Sequence, residues 1–214
     1  MINVFKTRWS EEGGYREVLV IAVPLILSTG AWSVLLFVDR MFLSWYSSDA
    51  IAASMPAGMA SFAMMCLFIG TAAYVNTFVA QYFGAGEESK IGVLIWQGIY
   101  FSGLSIVIVI PAYLLAEEFF VFIDHSVSLQ LLEVEYFKLL MYSAVFIVLN
   151  NTLSSFFSGL GKTMTVMWVS VLITVINILL DYLFIFGKSG FSEMGIRGAA
   201  IATNIAVITG SIVL

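Results

Sequence analysis

Long apolar runs alternate with short polar connectors along the whole chain, and the runs have the length that spans a bilayer. A bilayer core needs about 20 apolar residues per helix. Read at that length, the pattern predicts helices near 18–39, 51–80, 91–115, 136–158, 164–187 and from about 195 onwards. Two connectors, Phe83 to Lys90 and Gly159 to Thr163, are short Gly/Lys turns, whereas Glu117 to Glu135 is longer and acidic. The tail of that acidic stretch, Leu129 to Glu135, reads as a short interfacial helix leading into the fourth span. The polar segment 1–17 precedes the first apolar run, which is longer than a signal h-region and lacks a small-residue exit, so it is expected to stay as a membrane helix. The run from Gly198 to Leu214 has no stop signal. The last helix is therefore expected to be cut short and the chain to be part of a longer protein.

Composition supports the same picture. Of the 214 residues, 61% are hydrophobic and 11% charged, with a mean hydropathy of +1.01, against about 25% charged in soluble domains. One soluble core of this size cannot hide that much apolar surface, so lipid must act as its solvent. The expected fold class is all-α, a polytopic membrane helix bundle with six transmembrane helices over 18–214. A net charge of -5 gives no basic footprint for nucleic acid. The single cysteine, Cys66, excludes an internal disulfide, and the single histidine, His125, sits beside Asp124 in a connector, which excludes a His-rich metal centre. Lys6, Arg8, Arg16, Lys90 and Lys162 fall on one side of the membrane and Arg40, Lys138, Lys188 and Arg197 on the other, which places the N-terminus in the cytoplasm.

No catalytic motif survives inspection. Gly161-Lys162-Thr163 resembles the end of a phosphate-binding loop, but Phe156 stands where that pattern needs glycine and no strand precedes it. H-E-x-x-H and G-x-S-x-G are both absent, so an enzyme is not expected. The informative residues are polar groups inside apolar helices, because a carboxylate in a bilayer is costly and marks ion or proton pathways. Asp39 ends the first apolar run, and Asp181 lies inside Val175–Phe186 with Asn177 four residues earlier. That spacing puts Asn177 and Asp181 on one helix face, one turn apart. Two carboxylates close together in a low-dielectric site do not both ionise easily, so such a pair takes up and releases a proton, or holds a hard cation such as Na⁺. Asp39 also has a plainer reading, an interfacial pair with Arg40. Pro24, within the first helix, reads equally as a hinge or as a tolerated proline near a helix start. Trp32, Trp45, Trp96, Trp168, Phe62 and Phe68 are expected to face lipid, and Met55, Met59, Met64 and Met65 to serve in packing.

An ordered series of segments carries a family resemblance. The first helix reads Val23-Pro24-Leu25-Ile26-Leu27-Ser28, then Phe37-Val38-Asp39, followed by Asp49-Ala50-Ile51-Ala52-Ala53. Val79 to Gly86 closes the second helix, and Phe157 to Thr163 closes the fourth. Asn177 to Gly187 forms the fifth, and Gly195-Ile196-Arg197-Gly198-Ala199 opens the sixth. The series resembles the multidrug and toxic compound extrusion (MATE) family. The resemblance implies a secondary transporter of twelve helices in two six-helix lobes, of which this chain is the N-terminal lobe and its partner the missing C-terminal lobe. It implies an antiporter in the cell inner (plasma) membrane, exporting cationic or amphipathic small molecules in exchange for H⁺ or Na⁺, with no further cofactor. It makes Asp39, Asn177 and Asp181 the cation site, Tyr136 and Thr203 its polar neighbours, and Pro24 the bend of the first helix. One departure concerns Leu43-Ser44-Trp45-Tyr46-Ser47-Ser48, which lacks the glycines often found there, with Arg40 directly following the acid. Two alternatives stand beside this reading. A lipid or polysaccharide-precursor flippase of related architecture needs a strongly cationic cavity, which the helix interiors lack. A non-transporting membrane scaffold needs no buried carboxylates at all.

Overall fold

The computed structural model describes residues 9, 11 and 14–214. Most of the segment 1–17, including Lys6 and Arg8 of the charge count, lies outside the described residues. The rest is helical: α1 Tyr15–Tyr46, α2 Ser48–Gly84, α3 Glu88–Leu104, α4 Ile106–Leu114, α5 Ala116–Ile123, α6 Val127–Met141, α7 Ala144–Gly159, α8 Thr163–Ile185 and α9 Ile196–Val213. Helices are the natural outcome, because lipid offers no partner for backbone N–H and C=O groups and a helix satisfies both internally. The long helices are apolar on nearly every face. Ile26 and Phe37 of α1 are each 67% exposed, a surface stable only against acyl chains. Four single helices, α1, α2, α8 and α9, and the 88–114 stretch of α3 and α4 have membrane-spanning length and apolarity.

Helix boundaries differ from expectation in instructive places. The first helix continues past Asp39 to Tyr46, so Asp39 lies within it rather than at its end. The Ser47 hydroxyl then accepts the Asp49 N–H at 3.2 Å and starts α2 almost at once. The expected third span is interrupted at Ser105 and continues beyond Leu115 as α5, taking Glu117 and Glu118 into a helix. The expected interfacial helix at 129–135 is not separate. It is the first part of α6, and the break falls at Tyr142–Ser143, inside the predicted fourth span. Polar capture explains the break. Asn204 of α9 donates its Nδ2 to the Leu139 carbonyl at 2.8 Å, and the Ser143 hydroxyl donates to Asn204 Oδ1 at 2.6 Å. Tyr142 N–H bonds the same Leu139 carbonyl, so the chain tightens to a three-residue turn there. Phe68, expected to face lipid, is instead buried against Phe101.

The connections bring one end of α1, α5, α6, α8 and α9 to the same side: α1 ends at Tyr46, α6 begins at Val127, α8 ends at Ile185 and α9 begins at Ile196. Ion pairs Lys138–Glu117 and Arg197–Glu135 tie α6 to α5 and α9 near that side. The Lys138 ammonium, hydrogen-bonded to Glu117 Oε1 at 2.6 Å, holds the Glu117 carboxyl below its ordinary range. Small residues allow close approach between helices. Gly198 of α9 packs on the α8 backbone at Phe184 and Ile185. Gly195, with φ +54°, lets the chain turn into α9 beneath the Tyr46 ring, where a Cβ would lie 2.5 Å from a ring carbon. Gly195→Ala therefore combines a left-handed backbone with a clash. It is expected to destabilise the folded protein by about 1–3 kcal/mol, read as a lower melting temperature in detergent.

Candidate functional site

The site is set by how α1 lies on α8. Polar residues recur along α8 at Ser170, Thr174, Asn177 and Asp181, steps of four, three and four that keep one face toward a neighbour. The facing stripe on α1 is Pro24, Ser28, Ala31, Leu35, Asp39 and Phe42, again in steps of three and four that keep one face. Ser28 Oγ meets Ser170 Oγ at 2.5 Å, and the Thr174 hydroxyl donates to the Ala31 carbonyl at 3.1 Å. Further along, the Phe42 ring lies 6.2 Å from Tyr182 and 5.8 Å from Phe186. Low numbers meet low numbers and high numbers meet high, so the two helices run parallel. The Ser28–Ser170 separation of 142 residues also relates Asp39 to Asp181. The register thus sets the two aspartates opposite each other, and each carboxyl lies within electrostatic reach of the other.

Both carboxyls are out of solvent: Asp39 is 3% exposed, Asp181 and Asn177 0%. Asp39 Oδ1, Asn177 Oδ1 and both oxygens of Asp181 are buried without a hydrogen-bond partner. Four such oxygens on three side chains are exceptional, since each unpaired buried polar atom costs about 1–3 kcal/mol. Asn177 donates its Nδ2 to Thr203 Oγ1 at 3.3 Å, which leaves its Oδ1 free. Tyr136, 4% exposed on α6, is acted on by the charges of Asp39, Asp181 and Arg40. All five residues expected from the resemblance are therefore placed together, at the junction of α1, α6, α8 and α9. Pro24 is buried on the same stripe of α1, about four turns from Asp39, and the helix continues through it.

Arg40 points elsewhere. Its guanidinium donates to the Ser54 hydroxyl on α2 and lies beside Gly58. Asp39 forms no ion pair among the described residues, so the interfacial Asp39–Arg40 pair is not what buries this carboxyl. Among the described residues no three His, Cys, Asp or Glu side chains are placed to hold a metal ion. The donors that do converge are oxygens, which suit a proton or a hard cation. Sequence reasoning missed three things here. Ser170 and Thr174 share the face of Asn177 and Asp181, and their spacing signalled it. Ser54 as the partner of Arg40 had no sequence signal. Glu133, expected in a polar connector, is fully buried, with Oε1 2.7 Å from His125 Nδ1.

Lipid-facing helices around buried, unpaired carboxyl and amide oxygens mark a polar site inside a membrane bundle. The chain belongs to the MatE family, whose profile matches residues 24–183. It is 26% identical over 202 residues to the probable multidrug resistance protein NorM of Thermotoga maritima, covering 93% of this chain and 43% of that protein. The chain thus spans less than half the length of that relative. Among solved structures, it superposes on an outward-facing conformation of a multidrug resistance MATE family transporter with a TM-score of 0.84 at 21% identity, covering 92% of this chain and 43% of that one. It superposes equally broadly on MATE in the bent conformation, with a TM-score of 0.80 at 22% identity, 92% of this chain and 43% of that one. The fold is therefore an all-helical membrane bundle matching half of a MATE transporter.

The unpaired oxygens make a stability prediction. Asp181→Leu removes two of them and fills the space with carbon, and is expected to stabilise the fold by about 1–3 kcal/mol. Thermal melts in detergent measure this, and a lower melting temperature would show that the carboxyl is satisfied in place.

Proposed function

We propose that the protein is a secondary active antiporter that exports cationic or amphipathic compounds in exchange for H⁺ or Na⁺. In this reading residues 18–214 form the N-terminal lobe, 1–17 is a cytoplasmic segment, and the cell inner membrane holds the protein. A C-terminal lobe completes the transport path. Asp39, Asn177 and Asp181 bind the coupling ion, Tyr136 and Thr203 orient it, and Pro24 is the bend of α1. The observation that carries the reading is the set of four buried, unpaired oxygens, one on Asp39 of α1 and three on Asn177 and Asp181 of α8. Groups left this costly in a membrane are retained for what they bind.

The chemistry follows from electrostatics. Two carboxyls facing each other in a water-poor site repel when both are charged, and a proton or a Na⁺ relieves that repulsion. Binding the ion draws α1 and α8 together at Asp39 and Asp181, and releasing it pushes them apart. A ligand shifts a conformational equilibrium only by binding one state better. The state with the aspartates opposed binds the ion, whereas the state with them separated does not. Substrate released from the first state and taken up in the second is thereby coupled to the ion gradient. Support for Pro24 as the bend comes from the missing hydrogen bond of a proline within a helix and from the relative described in a bent conformation. The helix interiors carry few basic side chains, and the half-buried Arg40 is engaged by Ser54, which disfavours pyrophosphate-linked flippase substrates.

The test uses the full-length protein in proteoliposomes with an imposed H⁺ or Na⁺ gradient. Asp39→Asn and Asp181→Asn, each alone, are expected to reduce drug efflux to background while insertion and folding persist. Efflux at the unmodified level in either variant would sink the mechanism. Response to one gradient and not the other identifies the ion.

A further inference from the structure

Between Pro24 and Asp39, α1 touches α8 through polar groups as well as carbon. Ser28 Oγ and Ser170 Oγ meet at 2.5 Å, and one turn further the Thr174 hydroxyl reaches the Ala31 carbonyl at 3.1 Å. Beside these hydroxyls, Leu35, Val169 and Ile173 join Ala206 of α9 in one buried apolar cluster. None of these hydroxyls belongs to the ion site, yet Ser170 and Thr174 lie on the same stripe of α8 as Asn177 and Asp181, and the register they fix with Ser28 is the one that opposes Asp39 and Asp181.

Two features make the contact releasable. The Thr174 hydroxyl also bonds the Ser170 carbonyl of its own helix at 2.9 Å. Letting go of Ala31 therefore leaves no orphaned donor, and the Ala31 carbonyl remains within the α1 ladder. Hydroxyl bonds between membrane helices are also individually weak, because unpaired partners find others nearby. The location adds meaning. Pro24 lacks the N–H that would bond Val20, so α1 has its weakest turn immediately before Ser28. A helix that swings at Pro24 must first part from α8 at Ser28 and Ala31, and only then can Asp39 leave Asp181.

We propose that Ser28, Ser170 and Thr174 form a catch that holds α1 against α8 in the ion-binding register and opens once in each transport cycle. Ser170 and Thr174 are positioning residues, acting on the ion through the placement of Asp39. The proposal rests on the antiport reading for its transport readout, but the catch itself is a matter of helix contact.

The test is made in the full-length protein with the exposed Cys66 replaced by alanine. Ser28→Cys with Ser170→Cys is expected to form a disulfide on oxidation, because the two side-chain tips already meet. The oxidised protein is expected to lose efflux and to regain it on reduction. Undiminished efflux from the oxidised pair, or failure of the pair to cross-link, overturns the catch. Thr174→Val, which keeps shape and removes the hydroxyl, is expected to raise the half-saturating concentration of the coupling ion about threefold, and Thr174→Ser to restore it. A Thr174→Val protein with unchanged ion dependence, or a Thr174→Ser protein as impaired as it, also overturns the catch. Asp39→Asn assayed alongside separates the two ideas. Persistent efflux there ends the ion-site reading, whereas the cross-linked pair still decides whether α1 must part from α8.

Discussion

The parallel seam between α1 and α8 is the constraint from which the rest of the site follows. Carboxyl groups in an apolar bundle face each other only if two helices keep a fixed longitudinal offset, and a slip of one residue would turn a side chain about 100° away. Here the offset is written several times over. Hydroxyl contacts mark one stretch of the seam, the aspartates the next, and the aromatic group of Phe42, Tyr182 and Phe186 the last. No single contact in that series is strong, and the register is the sum of them.

The second support is α9, which ties the seam to the rest of the bundle. Glycine at 198 lets it lie directly on the α8 backbone, so Thr203 reaches Asn177. The next residue, Asn204, turns to α6 and α7 and takes hold of Leu139 and Ser143. Ser211 adds a bond to the Phe146 carbonyl at 3.1 Å. By pinning the break between α6 and α7, α9 fixes the end of the helix that carries Tyr136. One short helix thus brings a hydroxyl to the amide of the site and anchors the element that delivers the phenol.

Much of this was legible in the sequence, for definite reasons. Apolar runs of bilayer length reveal spans because lipid leaves the backbone few alternatives. Asp181 stood out because almost everything around it is carbon, and its spacing from Asn177 gave the shared face. Asp39 was harder. Its apolar run stops there, and only the structure reveals that the helix continues through Arg40 to Tyr46. Tyr136 and Thr203 came from family resemblance, since nothing in their local sequence distinguishes a phenol or hydroxyl at a site from one at a helix surface. The break at Tyr142–Ser143 was not legible at all. It depends on Asn204, more than sixty residues away, and no local pattern announces a carbonyl captured from another helix. Glu133 escaped notice for a related reason. A glutamate in an acidic stretch looks solvated until the fold buries it against His125.

The parallel course of α1 and α8 has one more consequence. Peptide dipoles add along a helix, leaving a partial negative charge at the C-terminal end. Because the two helices point the same way, both negative ends lie on the side of the molecule that holds the aspartates. Asp181 falls within about a turn of the end of α8, where this field is strongest, and Asp39 about two turns from the end of α1. Helix α9 runs the other way and presents its positive N-terminal end, at Ile196, on that same side. The backbone thus weighs against a bare carboxylate at Asp181 more than at Asp39, and the two opposed acids start from unequal footing before any side chain moves.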